Sequence, residues 1–241
     1  MFITTSERQI GLFYIFDPML QKFLLKSTLS ITTFICAISF SAHPTPPATK
    51  PATNFATNAA PPPPKLDTAT FAMGCFWCTQ AQFQLLKGVK NVVAGYTGGH
   101  IPQPSYKMVC TGNTGHAEAC NIIFDPALIS YDDLLAAFFK AHDPTLLNRQ
   151  GNDVGTQYRS AIFYRNPAQK KKAEYYIARL NDVKAYKNPI VTQVSPFTVF
   201  YPAEADEQDF YNKNPDQHYC KFVIQPEVEK FKRVFKDKLK Q

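Results

Sequence analysis

From Leu66 onward, apolar and polar positions recur with a period that switches between two and roughly 3.6 residues. "TATFAMG" predicts a strand. "CFWCTQAQFQLLKG" predicts a helix with Phe76, Trp77, Phe83 and Leu86 as its apolar positions, ended by Gly88. "VKNVVAGYTGG" is a second strand closing on glycines, and "AEACNIIFDP" a third. "SYDDLLAAFFKAHDP" is a helix with Ser130 as N-cap and a stripe of Leu134, Leu135, Phe138 and Phe139. "YRSAIFY" supplies a fourth strand. A further helix begins at "NPAQKKKAEYYIARL", with Asn166 as cap and Pro167 in its first turn. "NPIVTQVS" adds an edge strand, and "AEADEQDFYNKN" and "QPEVEKFKRVFKDKL" two short C-terminal helices. The last carries Val228, Phe231, Val234, Phe235 and Leu239 on one side.

The order β-α-β-β-α-β is the signature of a split βαβ unit. The expected fold is therefore α+β, a ferredoxin-like two-layer sandwich with extra C-terminal helices and coil. At 241 residues the chain is long enough for one such domain with additional sequence. Residues 43–66, "HPTPPATKPATNFATNAAPPPPKL", are too poor in large apolar residues to bury a core and read as a Pro/Ala-rich disordered linker. Its "PPPP" has a second reading as a polyproline II ligand. Before it, Lys22 and Lys26 precede a short apolar run from Leu29 to Phe40, with small residues at Ser39, Ser41 and Ala42. Residues 1–42 thus read as a signal-peptide region, with translation starting at Met1 or Met19. Export to the periplasm is the expectation; the rival is an uncleaved segment tethering the domain to the membrane. Residues 67–241 form the expected catalytic domain.

A formal net charge of +7 is concentrated in the C-terminal "KFKRVFKDKLK". No nucleic-acid motif accompanies it, so it reads as a solvated helix face. Of six cysteines, Cys36 lies in the apolar run, leaving Cys75, Cys78, Cys110, Cys120 and Cys220. An odd number fits a free thiol better than a purely structural disulfide framework.

Cys75 follows a strand and Gly74, which puts it at the N-terminus of the first helix. Unpaired amides there favour an anion and a reactive thiolate. Cys78 lies one turn on, within disulfide reach, so the pair suggests redox exchange. A zinc site would need a second ligand pair, and none is spaced for it. Glu118, early in an apolar strand, is either an edge residue in water or a sequestered carboxyl able to donate a proton near neutral pH. His116 reads as a packed loop residue, and Cys110 and Cys120 as small buried ones. The polar stretch "NRQGNDVGTQYRS", with Asp153 and Tyr158, has the composition of a functional loop. Tyr106 in "PSYKMVC" is either a ligand-facing hydroxyl or packing.

Taken together, "GCFWC", "GYTGG", "SYKMVCTGNTGHAEA", "GNDVGTQYRSAIFY" and "FYPAE…NKNP" resemble, in this order, the peptide methionine sulfoxide reductase A family. The likeness covers Thr68 to Cys220. It implies a ferredoxin-like αβ core, no metal, no bound organic cofactor, and thioredoxin or another dithiol as electron donor. Partners would be oxidised methionine-containing proteins or peptides, and the chain is expected to be a monomer. Carried onto matching positions, Cys75 resembles the nucleophile and Glu118 the acid. Tyr106 and Tyr158 would bind the sulfoxide oxygen, Phe76 and Trp77 would hold the S-methyl group, and Asp153 would order the site. Cys78 is the expected resolving cysteine, with Cys220 as the alternative. Many relatives carry glycine at position 78 and glutamate where this chain has Gln80. The competing functional class is a thioredoxin-like thiol–disulfide oxidoreductase, which would use Cys75 and Cys78 but need neither Glu118 nor the tyrosines.

Overall fold

The structure, a computed structural model, describes residues 65–241. The leader reading and nearly all of the linker reading lie outside the described residues. The chain runs through β1 (Asp67–Met73), α1 (Phe76–Phe83), β2 (Val89–Thr97), α2 (Tyr106–Cys110), β3 (Ala117–Phe124) and α3 (Tyr131–Ala141). A small hairpin of β4 (Arg149–Gln150) and β5 (Asp153–Val154) follows, then a 3₁₀ turn at Thr156–Tyr158 and β6 (Ser160–Tyr164). The remainder is α4 (Pro167–Asp182), β7 (Gln193–Pro196), β8 (Phe200–Pro202), α5 (Phe210–Lys213), a π-helical turn at Cys220–Ile224, α6 (Gln225–Val234) and a last 3₁₀ turn at Lys236–Lys238.

The fold is mixed α/β, built on a six-stranded sheet ordered β7-β6-β1-β3-β2-β8. β1 runs antiparallel to both β3 and β6, and β2 antiparallel to both β3 and β8; β7 joins β6 in parallel. The central strands are covered on both faces, and β1 buries every residue from Ala69 to Met73. On one face Phe71 packs against Phe138 and Phe83, with ring centroids 5.0 Å and 5.9 Å apart. The other face is lined by Ala72, Ala117, Ala119, Ala161 and Phe163, and Phe197 and Phe200 close over it. Side chains alternate along a strand, so Glu118 shares the α1-facing side of β3 with Cys120 and Ile122.

The expected caps form. Ser130 and Asp133 make a reciprocal capping box on α3, and the Asn166 side chain accepts the Gln169 N–H at the start of α4. Four expectations need correction. The first helix ends at Phe83, not at Gly88, because residues 84–88 turn away to meet the C-terminus: Lys87 N–H donates to Lys238 O (2.7 Å) and Lys240 N–H to Leu85 O (2.8 Å). α2 and β8 form where the sequence pattern predicts no element; five and three residues are too few to show a period. "AEADEQDFYNKN" is helical only over Phe210–Lys213. Gln208 uses its side-chain amide on the backbone N–H and C=O of Ala94, and Asp209 is left-handed at φ 56°, which stops a helix from starting earlier. Cys110 is exposed, at the end of α2, not buried.

Gly99, in the "GYTGG" turn, has backbone in the way: an added Cβ would lie 2.3 Å from the His116 amide nitrogen. Gly99→Ala is expected to lower the unfolding free energy by about 1–3 kcal/mol. Urea denaturation measures this, and an unchanged midpoint would show that the turn yields without cost.

Candidate active site

Gly74 ends β1 at φ 99°, a conformation glycine enters without strain; a Cβ there would meet the Gln150 Cβ at 2.6 Å. The turn delivers Cys75 to the N-cap of α1, where its side chain makes no capping hydrogen bond. The first-turn amide of Phe76 is taken instead by Glu118, whose Oε2 accepts it at 3.0 Å. Glu118 is 1% exposed. Burial outweighs the Phe76 N–H and, with the negative charges of Asp153 and Glu207, lifts the Glu118 carboxyl to about 8. A proton donor therefore stands beside the residue that follows the thiol.

Two tyrosines face the same carboxyl. Tyr106 opens α2, where its N–H donates to Glu204 Oε1 (2.8 Å) while Glu204 Oε2 accepts the Tyr96 hydroxyl (2.8 Å). Its ring stacks on Phe76 and Trp77, each at 6.1 Å. Tyr158 is fixed by the polar loop around it. Thr156 Oγ1 donates to Gly112 O (3.0 Å), and the Arg159 guanidinium donates to Thr156 O (2.8 Å) and Gly115 O (3.0 Å). That knits the 3₁₀ turn to the segments flanking α2 and β3. Burial, then the charge of Glu118, raises both phenols, so both remain hydrogen-bond donors.

Trp77 is half-buried, stacked on Phe210 at 3.8 Å, with its indole N–H on Glu207 Oε2 (3.0 Å). Phe76 is 0% exposed and lies behind Tyr106, Trp77 and Tyr96. Of the two aromatics expected to grip a methyl group, Trp77 alone reaches the surface and Phe76 backs it. His116 is a packed loop residue: its Nδ1 accepts the Gly99 N–H (3.1 Å) and its Nε2 lies 2.7 Å from Ile101 O.

Cys75 and Cys78 line a cleft of about 310 Å³ together with Gln150, Asp153, Tyr219 and Glu227. Asp153 hydrogen-bonds neither Tyr106 nor Tyr158; it accepts the Tyr219 hydroxyl at 2.5 Å. The Cys78 thiol shares this cleft with the Cys75 sulfur and the Glu227 carboxylate. Its interaction with Cys75, then burial, then the nearby charges of Cys75 and Glu227 hold it well above the ordinary thiol range. Cys220, at the start of the π-helical turn, is buried with its Sγ 3.8 Å from Gln217 Oε1 and feels the Cys75 charge. All five described cysteines are unpaired. Among the described residues no group of three or more His, Cys, Asp or Glu side chains is placed to hold a metal ion.

Sequence reasoning missed Glu204, Glu207, Tyr219 and Glu227. The first two sit in the acidic start of "AEADEQDFYNKN", where the pattern predicts a short helix and singles out no carboxylate. Glu227 left a signal: Ile224, Glu227, Val228 and Phe231 recur at i, i+3, i+4 and i+7, so the glutamate occupies a position in the buried stripe.

A thiol pair at a helix start, facing a proton-bearing carboxyl and two hydroxyls, is the equipment of a thiol-dependent oxidoreductase acting on a group that must accept a proton. Comparison with known proteins narrows this class. The family model described as peptide methionine sulfoxide reductase matches residues 67–239. "Peptide methionine sulfoxide reductase MsrA" of Thermus thermophilus is 52% identical over 174 residues, 72% of this chain and 98% of that protein. The protein of the same name from Saccharolobus solfataricus is 51% identical over 175 residues, 73% of this chain and 98% of its own. Among solved structures, Mxr1 from Saccharomyces cerevisiae in reduced form aligns with a TM-score of 0.60 at 33% identity, covering 65% of this chain and 90% of that one. Methionine sulfoxide reductase A of Corynebacterium diphtheriae aligns with a TM-score of 0.58 at 34% identity, covering 64% and 77%. The chain belongs to the peptide methionine sulfoxide reductase family.

The Glu118 carboxyl makes a physical prediction independent of turnover. It holds its proton to about 8 when folded, against an ordinary value of 4.5 once the chain unfolds. The folded state therefore binds more protons between these values, and its stability falls as pH rises through them. Glu118→Gln removes that loss. The variant's urea midpoint is expected to gain on wild type between about pH 5 and about pH 9; parallel pH curves would mean that Glu118 ionises normally.

Proposed function

We propose that this protein reduces methionine S-sulfoxide, in proteins and peptides, to methionine by thiol chemistry at Cys75. The observation that carries the reading is the buried Glu118 carboxyl seated on the Phe76 N–H. A sulfoxide sulfur is a weak electrophile, since attack on it pushes charge onto oxygen. In this reading Cys75 attacks sulfur as a thiolate while Glu118 donates its proton to that oxygen. Tyr106 and Tyr158 hydrogen-bond the same oxygen, and stabilisation there grows as charge develops. Trp77, backed by Phe76, takes the methyl group. Oxygen and methyl then have separate fixed places, which distinguishes the two sulfoxide epimers.

Methionine departs and the oxygen stays on Cys75 as a sulfenic acid. Cys78 attacks that sulfur and closes a disulfide with loss of water; a thioredoxin-like dithiol returns both thiols. Asp153 acts through Tyr219, which it holds over the cysteine pair. The sheet order supports the finer fold reading: β6-β1-β3-β2, antiparallel throughout, is the arrangement a ferredoxin-like split βαβ requires.

Single-turnover methionine release without added reductant tests the reading on protein trimmed to residues 65–241. One equivalent is expected from the S epimer and none from the R epimer, with loss of two thiols. Cys75→Ser should abolish release. Cys78→Ser should release its one equivalent yet fail to recycle with thioredoxin, and sustained cycling by that variant would move the resolving role to Cys220. No release from either epimer, with insulin disulfides still reduced, would assign the protein to the thiol–disulfide oxidoreductases instead.

A further inference from the structure

The second half of the cycle has a thiol that needs help. Cys78 is buried on α1 and protonated, and a thiol is a poor nucleophile until its proton leaves. The cleft that Cys78 shares with Cys75 also holds a carboxylate from another helix, Glu227, in the first turn of α6. Two observations mark Glu227 as placed. It stands in the apolar stripe of its helix, beside Ile224, Val228 and Phe231. It also accepts the Gln82 side-chain amide (Nε2 to Oε2, 3.4 Å), and Gln82 lies one turn past Cys78 on α1. α6 thus docks on α1 with a carboxylate, instead of an apolar side chain, over the second cysteine.

We infer that Glu227 is the general base of the resolving step, taking the proton of the Cys78 thiol as that sulfur attacks the Cys75 sulfenic acid. The inference rests on the assignment of Cys78 as the resolving cysteine. As the Cys78–Cys75 sulfur bond forms, the sulfur–oxygen bond of the sulfenic acid breaks and hydroxide leaves. Glu227 passes the proton it has taken to that hydroxide in the shared cleft, giving water and restoring the carboxylate. Cys75 sulfur is reduced from sulfenic acid to disulfide, Cys78 is oxidised, and no further reactant is needed until the external dithiol arrives. Glu118 is engaged elsewhere: its hydrogen bond is to the Phe76 amide, and it does not line the cleft that Cys78 shares with Glu227. The charged and titratable groups facing Glu227 are Cys78, from α1, Asp153, from the β4–β5 hairpin, and Lys230, one turn on in α6. Burial, and after it the charge of Asp153, raise the Glu227 carboxyl above the ordinary range and make it a stronger base, while Cys78 and Lys230 work in the opposite direction.

The test follows one turnover of the full chain with methionine S-sulfoxide, quenched at intervals. Released methionine reads the first step, dimedone trapping reads the Cys75 sulfenic acid, and peptide mapping identifies the disulfide. Glu227→Gln is expected to release its equivalent of methionine but to form the Cys75–Cys78 disulfide about 100-fold more slowly, the lower end of what general-base catalysis contributes. The sulfenic acid should accumulate in its place. Resolution in the variant should also rise about tenfold per pH unit, since hydroxide must now remove the thiol proton, whereas the wild-type rate should vary far less. A merely structural role would depress the rate equally at every pH. Glu227→Asp should recover part of the rate. Resolution by Glu227→Gln at the wild-type rate, or loss of methionine release together with resolution, would overturn the base while leaving Cys78 in place. A wild-type disulfide mapped to Cys75 and Cys220 would instead remove the Cys78 assignment on which the inference stands.

Discussion

One hydrogen bond organises this molecule: the Phe76 N–H held by Glu118 across the junction of α1 and β3. A carboxyl that has lost its water is costly to ionise, and a single amide does not repay the whole cost. That imbalance is what leaves the group protonated near neutral pH. The same bond joins the helix that presents Cys75 to the strand at the centre of the sheet, so a shift in either element would separate thiol from carboxyl. The flanking contacts are arranged to keep it dry. Phe76 is buried against Tyr96 and Tyr106, and Cys120 closes the gap beneath with its thiol on Phe76 O (3.5 Å).

A second layer of polar side chains holds the long irregular C-terminal segment onto this core. Gln80 shows why an amide is suited to its position. Its nitrogen donates to Val92 O (2.8 Å) and its oxygen accepts the Asp209 N–H (2.8 Å). A carboxylate there would lose the donor half of that pattern and need a different partner. Gln208 performs the corresponding task on Ala94 of β2, next to the residues that pair with β8, and Glu204 ties β2 to α2. These bonds let a stretch with little regular structure carry Phe210 and Tyr219 over Trp77.

What is legible in the sequence follows from this division. The strands and long helices are readable because burial imposes a period on them, and Ser130 and Asn166 cap as their chemistry requires. Cys75, Glu118, Tyr106 and Tyr158 stand out by residue type and neighbourhood, and the structure brings all four to one place. Where sequence reasoning falls short, the determining contacts are long-range. The end of α1 is set by backbone bonds to residues 238 and 240, more than a hundred and fifty positions away. Residue type alone would bury Cys110, yet its exposure depends on where α2 ends. Phe76 and Trp77 look equivalent because their spacing gives no hint that one packs inward against Tyr96 while the other meets Phe210.

The local geometry of the cysteine pair shows what a cysteine at position 78 brings to the site. Cys75 is the N-cap and Cys78 the third residue of α1, so their side chains point from adjacent positions one helical turn apart. Closing a bond between them orders almost no additional chain, whereas a distant thiol must bring its own segment along. Cys220 would have to carry the π-helical turn and the start of α6, both packed on α1 through Ile224, Val228 and Phe231. The cost of the local solution falls elsewhere. A thiol tucked into the helix start is desolvated and holds its proton, so proximity alone does not make it reactive. In the proposed cycle that proton goes to Glu227, which α6 carries at a position in its stripe that packing alone would have given to an apolar residue.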